Sequence, residues 1–146
     1  MHKCRATKTG GGVYITAAKY FYMKHCLLTD CKSQRGGGSI FISQINNITN
    51  VNNILVNNTA GYGAALYVSL VNYMLSIKCR YQNNEAKRYG AAFHSSKVAI
   101  IQDIHNKYLS NRCRKLGPAM NILEGYSVVN INNIFLMNFG TAVYVE

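Results

Sequence analysis

The sequence predicts an all-β chain folded as a right-handed, single-stranded parallel β-helix of about five to six coils, each of about 26–27 residues. Three observations carry this expectation. Glycines recur in one column at Gly11, Gly37, Gly63, Gly90, Gly117 and Gly140, with steps of 26, 26, 27, 27 and 23 residues. Each is followed by a short β-like phrase: Val13-Tyr14-Ile15, Ile40-Phe41-Ile42, Leu66-Tyr67-Val68, the weaker Phe93-His94-Ser95, Met120-Asn121-Ile122 and Val143-Tyr144-Val145. The composition, with twelve Gly, eleven Tyr, one Pro, no Trp and an excess of Asn, suits strands joined by tight turns better than helices.

The remaining elements follow in phase. An apolar or aromatic column runs through Leu28, Leu55, Tyr81, Tyr108 and Phe135. Three residues later lies a polar column, Cys31, Asn58, Asn84, Asn111 and Asn138, and five residues before that one another, Cys26, Asn53, Cys79, Asn106 and Asn133. Small side chains follow at Ser33, Ala60, Ala86 and Cys113. In a solenoid each coil stacks on the next at roughly 4.8 Å, so like sits above like and the apolar columns become interior stripes. The Asn columns suit turns, where an amide accepts from one coil and donates to the next and tolerates left-handed backbone; the glycines are expected at the same corner. Cys in these columns reads as a small buried substitute. A leucine-rich repeat has a similar period, but the spacing of Ile45, Ile48, Val51 and Ile54 does not recur, and no hexapeptide step supports a left-handed helix.

With 49% hydrophobic and 14% charged residues the 146-residue chain has the means to bury a core and is expected to fold as one domain, residues 1–146. It starts inside what reads as a coil and ends in a strand, so a fragment of a longer solenoid is expected. Uncapped ends would then favour end-to-end self-association. Neither a transmembrane helix nor a signal-peptide core is visible after Met1-His2-Lys3-Cys4-Arg5, so a complete chain would be cytoplasmic.

The phrases Tyr81-Gln82-Asn83-Asn84-Glu85-Ala86 and Gly90-Ala91-Ala92-Phe93 resemble the repeat of the polymorphic outer membrane proteins, known from chlamydial and trichomonad surface proteins: aromatic-x-x-Asn-x-Ala, a short turn, then Gly-Gly-Ala-Ile-Tyr. Leu55 to Asn58 with Gly63-Ala64-Ala65-Leu66-Tyr67, and Phe135 to Asn138 with Gly140-Thr141-Ala142-Val143-Tyr144, resemble it again. The chain departs from it where Ala or Pro118 replaces the second glycine and Cys31 an Asn. The resemblance implies an extracellular or cell-surface β-helical rod associated with adhesion, with glycans or proteins of a host or cell surface as partners and no catalytic residues to carry over.

The chemistry-bearing residues are sparse. Pectin-lyase-like solenoids also include pectate lyases and polygalacturonases, which need clustered carboxylates. The five acids, Asp30, Glu85, Asp103, Glu124 and Glu146, put no two in the same or adjacent columns of neighbouring coils. His2, His25, His94 and His105 read as four different repeat positions, so no metal or cofactor site is expected. Five Cys include no CxxC pair, and Cys26 and Cys79 share a column two coils apart, roughly 10 Å, too far for a disulfide. Asn47-Ile48-Thr49 and Asn57-Asn58-Thr59 are glycosylation sequons, relevant only in a secretory pathway, with Asn47 expected in an exposed turn and Asn57 pointing outward.

The net charge of +11 comes from sixteen Lys and Arg, and Lys32, Arg35, Lys87, Arg88, Arg112, Arg114 and Lys115 all precede the glycine of their repeat. Stacking would align them as a basic edge, interrupted in the coil of Asn58. A solvated edge that keeps the rod soluble is the plain interpretation; a contact with anionic polysaccharide or an acidic surface is the sharper one. Nucleic acid is not expected, because no recognisable motif accompanies the charge. The sequence therefore points to a non-enzymatic structural or adhesion module binding through an extended solenoid face. A degenerate carbohydrate-active β-helix that binds or cleaves acidic polysaccharide is the alternative.

Overall fold

The first four coils each contribute one triplet of strands, and in the fifth the long strand is split in two. The computed structural model, which describes residues 1–146, places β1 (Arg5–Ala6), β2 (Val13–Lys24) and β3 (Leu27–Thr29) in the first coil, and β4 (Lys32–Ser33), β5 (Ile40–Val51) and β6 (Ile54–Val56) in the second. The third holds β7 (Thr59–Tyr62), β8 (Leu66–Ile77) and β9 (Arg80–Gln82), and the fourth β10 (Glu85–Tyr89), β11 (Phe93–Ile104) and β12 (Lys107–Leu109). The fifth comprises β13 (Arg112–Cys113), β14 (Met120–Leu123), β15 (Ser127–Ile131) and β16 (Ile134–Leu136), and β17 (Val143–Val145) closes the chain. All pairing is parallel and runs from one coil to the next, so the chain is an all-β parallel β-helix of about five turns with three sheets along its length.

The first sheet is β1-β4-β7-β10-β13, the second the long strands β2-β5-β8-β11-β14-β17 with β15, and the third β3-β6-β9-β12-β16. Their inner faces fill one core. Ile40, Leu66, Phe93 and Met120 stack in one row, Ile48, Met74 and Ile101 in another, all at 1% exposure or less. On the facing sheet Leu28, Leu55, Tyr81 and Tyr108 form the expected buried row, with Phe135 packed against its end. The rings of Tyr81, Tyr108 and Phe135 lie 4.9 Å apart and within 7° of parallel, the geometry that identical side chains adopt on neighbouring coils.

The corners use left-handed backbone. His25, Asn52, Lys78, His105 and Asn132 lead into the third sheet, Asp30, Asn57, Asn83, Ser110 and Met137 leave it, and all have φ of 50–58°. The left-handed residue is therefore the one before each Asn/Cys column, not the column residue as expected. The glycine column forms a separate corner between the first and second sheets. Its first member is Gly10 rather than Gly11: Val13 pairs with Ile40, and Gly10 and Gly37 have φ of 65° and 63°. A run of three glycines, Gly10 to Gly12, hides this register in the sequence, and the step becomes 27 residues instead of 26.

The two Asn columns are interior hydrogen-bond ladders. Asn84 Oδ1 accepts from the main-chain N and the Nδ2 of Asn58, both at 3.0 Å, while its own Nδ2 donates to Leu55 O and Asn111 Oδ1, again at 3.0 Å. Cys31 and Cys26 join through their main-chain N–H groups, which donate to Asn58 Oδ1 at 3.0 Å and Asn53 Oδ1 at 2.7 Å. Each ladder satisfies the buried corner groups that sheet pairing leaves over.

Candidate functional site

The basic residues lie on the first sheet and the corner that follows it, and all seven are exposed. Stacking resolves them into rows. Lys32 and Arg112 share one row with Arg5, Thr59 and Glu85, in which Glu85 lies opposite Arg112. Arg35, Lys87, Arg88, Arg114 and Lys115 stand nearer the glycine corner, where Arg35 N donates to Lys8 O at 2.8 Å. Arg5 and Lys8 thus extend the edge into the first coil, and sequence inspection missed both because the first unit's register was displaced by one residue.

The interruption in the third coil is itself the feature that builds a site. Between the small residue and the corner aromatic this coil has only Gly61, where the neighbours have Gln34-Arg35, Lys87-Arg88 and Arg114-Lys115. Tyr62 nonetheless pairs with Gly36 and Tyr89, so the register shifts locally and the missing residue leaves a notch. Its volume is about 410 Å³, and Gln34, Arg35, Gly61, Tyr62, Lys87 and Arg88 line it. No side chain fits at position 61, where a Cβ would lie 2.7 Å from Arg35 O and 2.9 Å from Gln34 O. Arg35 on one side and Lys87 with Arg88 on the other are two coils apart, roughly 10 Å along the rod.

The notch is electrostatically one-sided. Arg88 Nη1 donates to Tyr62 OH at 2.5 Å and its guanidinium lies 5.5 Å from that ring. The same pattern repeats below, with Lys115 5.5 Å from the Tyr89 ring and Arg112 5.9 Å from Phe139. Aromatic rings, not carboxylates, thus hold these cations. The two ion pairs of the chain, His2 with Asp30 at 3.3 Å and Lys97 with Glu124 at 3.9 Å, are both elsewhere. Three positive side chains converge with no acid in the lining, an arrangement suited to a carboxylate, sulfate or phosphate group.

Other expectations need correction. Glu124 N donates to Glu146 O at 3.0 Å, so these two acids do stand on neighbouring coils in adjacent columns. The shortened last unit displaced them in the repeat frame, pairing Met120 with Val143 at a step of 23 residues. They line different cavities, Glu124 a groove of about 720 Å³ at the bend of the long strands and Glu146 a pocket of about 210 Å³ near Tyr89 and Asn121. His25 and His105 occupy the same corner position rather than different ones, three coils apart. Nowhere do three His, Cys, Asp or Glu gather as metal ligands. Asn47 is half-buried within β5, not in an exposed turn, whereas Asn57 is exposed at its corner.

The least expected feature is a polar row inside the rod, Asn50, Ser76 and Asp103, beside the aromatic row. Tyr108 OH lies 2.9 Å from both carboxylate oxygens of Asp103, Asn106 Nδ2 donates to Oδ1 at 2.7 Å, and Asn50 Nδ2 donates to Tyr81 OH at 2.8 Å. Burial pushes the Asp103 carboxyl up to about 7. Burial likewise lowers His94 to about 4, at the end of an outer stack of Tyr14, Phe41 and Tyr67.

The chain matches no family model, no curated protein and no solved structure. The fold and the chemistry of the notch are therefore the grounds on which a function rests.

Proposed function

We propose that the chain is a non-enzymatic binding module of a surface or secreted protein, which holds a linear acidic polysaccharide along its basic edge with the third-coil notch as the anchoring position. The observation that carries this is the convergence of Arg35, Lys87 and Arg88 on one cavity without a counter-charge. Polymeric anions suit a rod because charged groups recur along both partners, and several weak contacts then act together. The outer stack of Tyr14, Phe41 and Tyr67, with Tyr67 packed on Gly36 beside the notch, presents a row of ring edges, an apolar strip for the C–H faces of a sugar chain. The resemblance to surface-displayed β-helical repeats agrees with an adhesive role. Binding is favoured over cleavage because Glu124 and Glu146, the two acids on neighbouring coils, open into separate cavities.

The test is a titration of the full chain with a defined-length sulfated oligosaccharide at several salt concentrations. Wild type is expected to bind with an affinity that falls steeply with salt, and Arg35→Ser combined with Arg88→Ser to lose about tenfold or more, some 1.4 kcal/mol. Lys19→Ser, on the long-strand face, serves as the control. Unchanged affinity in the double variant, or equal binding of a neutral glucan, overturns the proposal.

A further inference from the structure

Cys4 and Cys31 occupy the same position on adjacent coils, which the sequence comparison of Cys26 with Cys79 overlooked. The register brackets them: His2 pairs with Thr29, Arg5 pairs with Lys32, and Lys32 N donates to Cys4 O at 2.8 Å. With a constant step of 27 residues on both sides, Cys4 faces Cys31 across one inter-strand spacing, about 4.8 Å between Cα atoms, within the 4.4–6.8 Å range of disulfides. Both thiols are free, Cys31 fully buried and Cys4 half exposed. The column explains why two sulfurs meet there. Farther along the rod it is filled by Asn58, Asn84, Asn111 and Asn138, whose amides bond to one another from coil to coil. Where Cys replaces Asn in successive coils, that side-chain link is lost and a covalent link of the same direction becomes possible.

We propose that Cys4 and Cys31 form an oxidative modification site, closing an inter-coil disulfide by exchange with a small-molecule disulfide such as oxidised glutathione. The half-exposed Cys4, as thiolate, attacks one glutathione sulfur and releases one glutathione thiolate, giving a mixed disulfide. Cys31 then gives up its proton and attacks the Cys4 sulfur, expelling the second glutathione. Two electrons pass from the protein thiols to the glutathione disulfide, and the two protons end on the two released glutathione thiols. Parallel side chains in register must close by about 1 Å to bring the Cβ atoms to bonding distance. β1 is well placed to move, since it is two residues long and pairs with β4 alone. The other cysteines lack such a partner: Asn53 separates Cys26 from Cys79, and Cys113 stands beside Ala86.

The experiment incubates the folded full chain with oxidised glutathione, blocks remaining thiols under denaturing conditions and maps the products by mass spectrometry without reduction. The expected result is a monomer whose five thiols fall to three, the two lost being joined as Cys4–Cys31, and whose Lys32 amide exchanges more slowly than in the reduced chain. Cys31→Ser should instead stop at Cys4 bound to glutathione. Cys4→Ser, a change at a half-exposed position, should leave the remaining four thiols unlinked with the far-UV spectrum intact. Retention of five free thiols in wild type, a wild-type product that stops at the mixed disulfide, or indiscriminate linkage to Cys26 or Cys113 would each overturn the proposal.

Discussion

Replacing Asn84 with Ala is the perturbation that weighs most heavily on the corner ladder. Its amide makes four bonds of 3.0 Å, accepting from Asn58 N and Nδ2 and donating to Leu55 O and Asn111 Oδ1. After truncation Asn111 Oδ1 still accepts from Asn84 N at 3.1 Å, and Asn58 Nδ2 still donates to Leu28 O at 3.3 Å. What remains without a partner is the buried N–H of Asn58 and one proton of its amide. At about 1–3 kcal/mol for each orphaned group, the loss is about 2–6 kcal/mol, centred near 4. That is a large part of the 5–15 kcal/mol stability usual for a domain, and for a chain of this size it lowers the melting temperature by roughly 8–16 °C. Urea unfolding followed by far-UV circular dichroism measures it, with Asn46→Ala, an exposed strand position, as a control that should change by under about 0.5 kcal/mol. A cost below about 1 kcal/mol for Asn84→Ala would refute the ladder as a stabilising element.

Asp103 makes stability depend on pH with a defined sign. Its folded pKa is about 7 against 3.8 for the free group, so between these values the unfolded chain releases a proton that the fold retains. Stability should therefore fall by about 4 kcal/mol in all as pH rises from 4 through 7, and level off only about one unit above the folded pKa; Asp103→Asn should flatten the profile, and denaturation midpoints across this range check both. At the glycine corner, a Cβ on Gly37 would lie 2.3 Å from Ile40 O on backbone of φ 63°, so Gly37→Ala should cost about 2–3 kcal/mol or more in thermal unfolding. Tyr81→Phe leaves Asn50 Nδ2 without its buried hydroxyl partner and should cost about 1–2 kcal/mol in the same assay, without loss of β content.

Much of this architecture was legible because a solenoid writes its structure as periodicity. Leu28, Leu55, Tyr81, Tyr108 and Phe135 stack as their spacing implied, and the Asn columns bond from coil to coil. The errors came where the period breaks. Three successive glycines at positions 10–12 obscured the first register, and the short last unit hid the proximity of Glu124 to Glu146. The polar interior row of Asn50, Ser76 and Asp103 escaped notice for a different reason. The long strands bend at Gln44, Leu70 and Lys97, which have φ of 54–58°, so simple alternation fails to say which later side chains face inward. The basic edge was visible as a column, but the notch was not. It depends on the single residue missing beside Gly61, which in the sequence looked like a gap in the pattern.

The most direct test of the proposed binding edge is a map of backbone amide NMR shifts on adding a sulfated oligosaccharide to the intact chain. Shifts should concentrate at Arg35, Gly61, Tyr62, Lys87 and Arg88 and extend weakly to Arg5 and Lys115 along the same basic edge. The bend lined by Leu70, Lys97 and Glu124 should stay unperturbed. Shifts centred on that bend, or scattered over all lysines and arginines alike, would contradict the account.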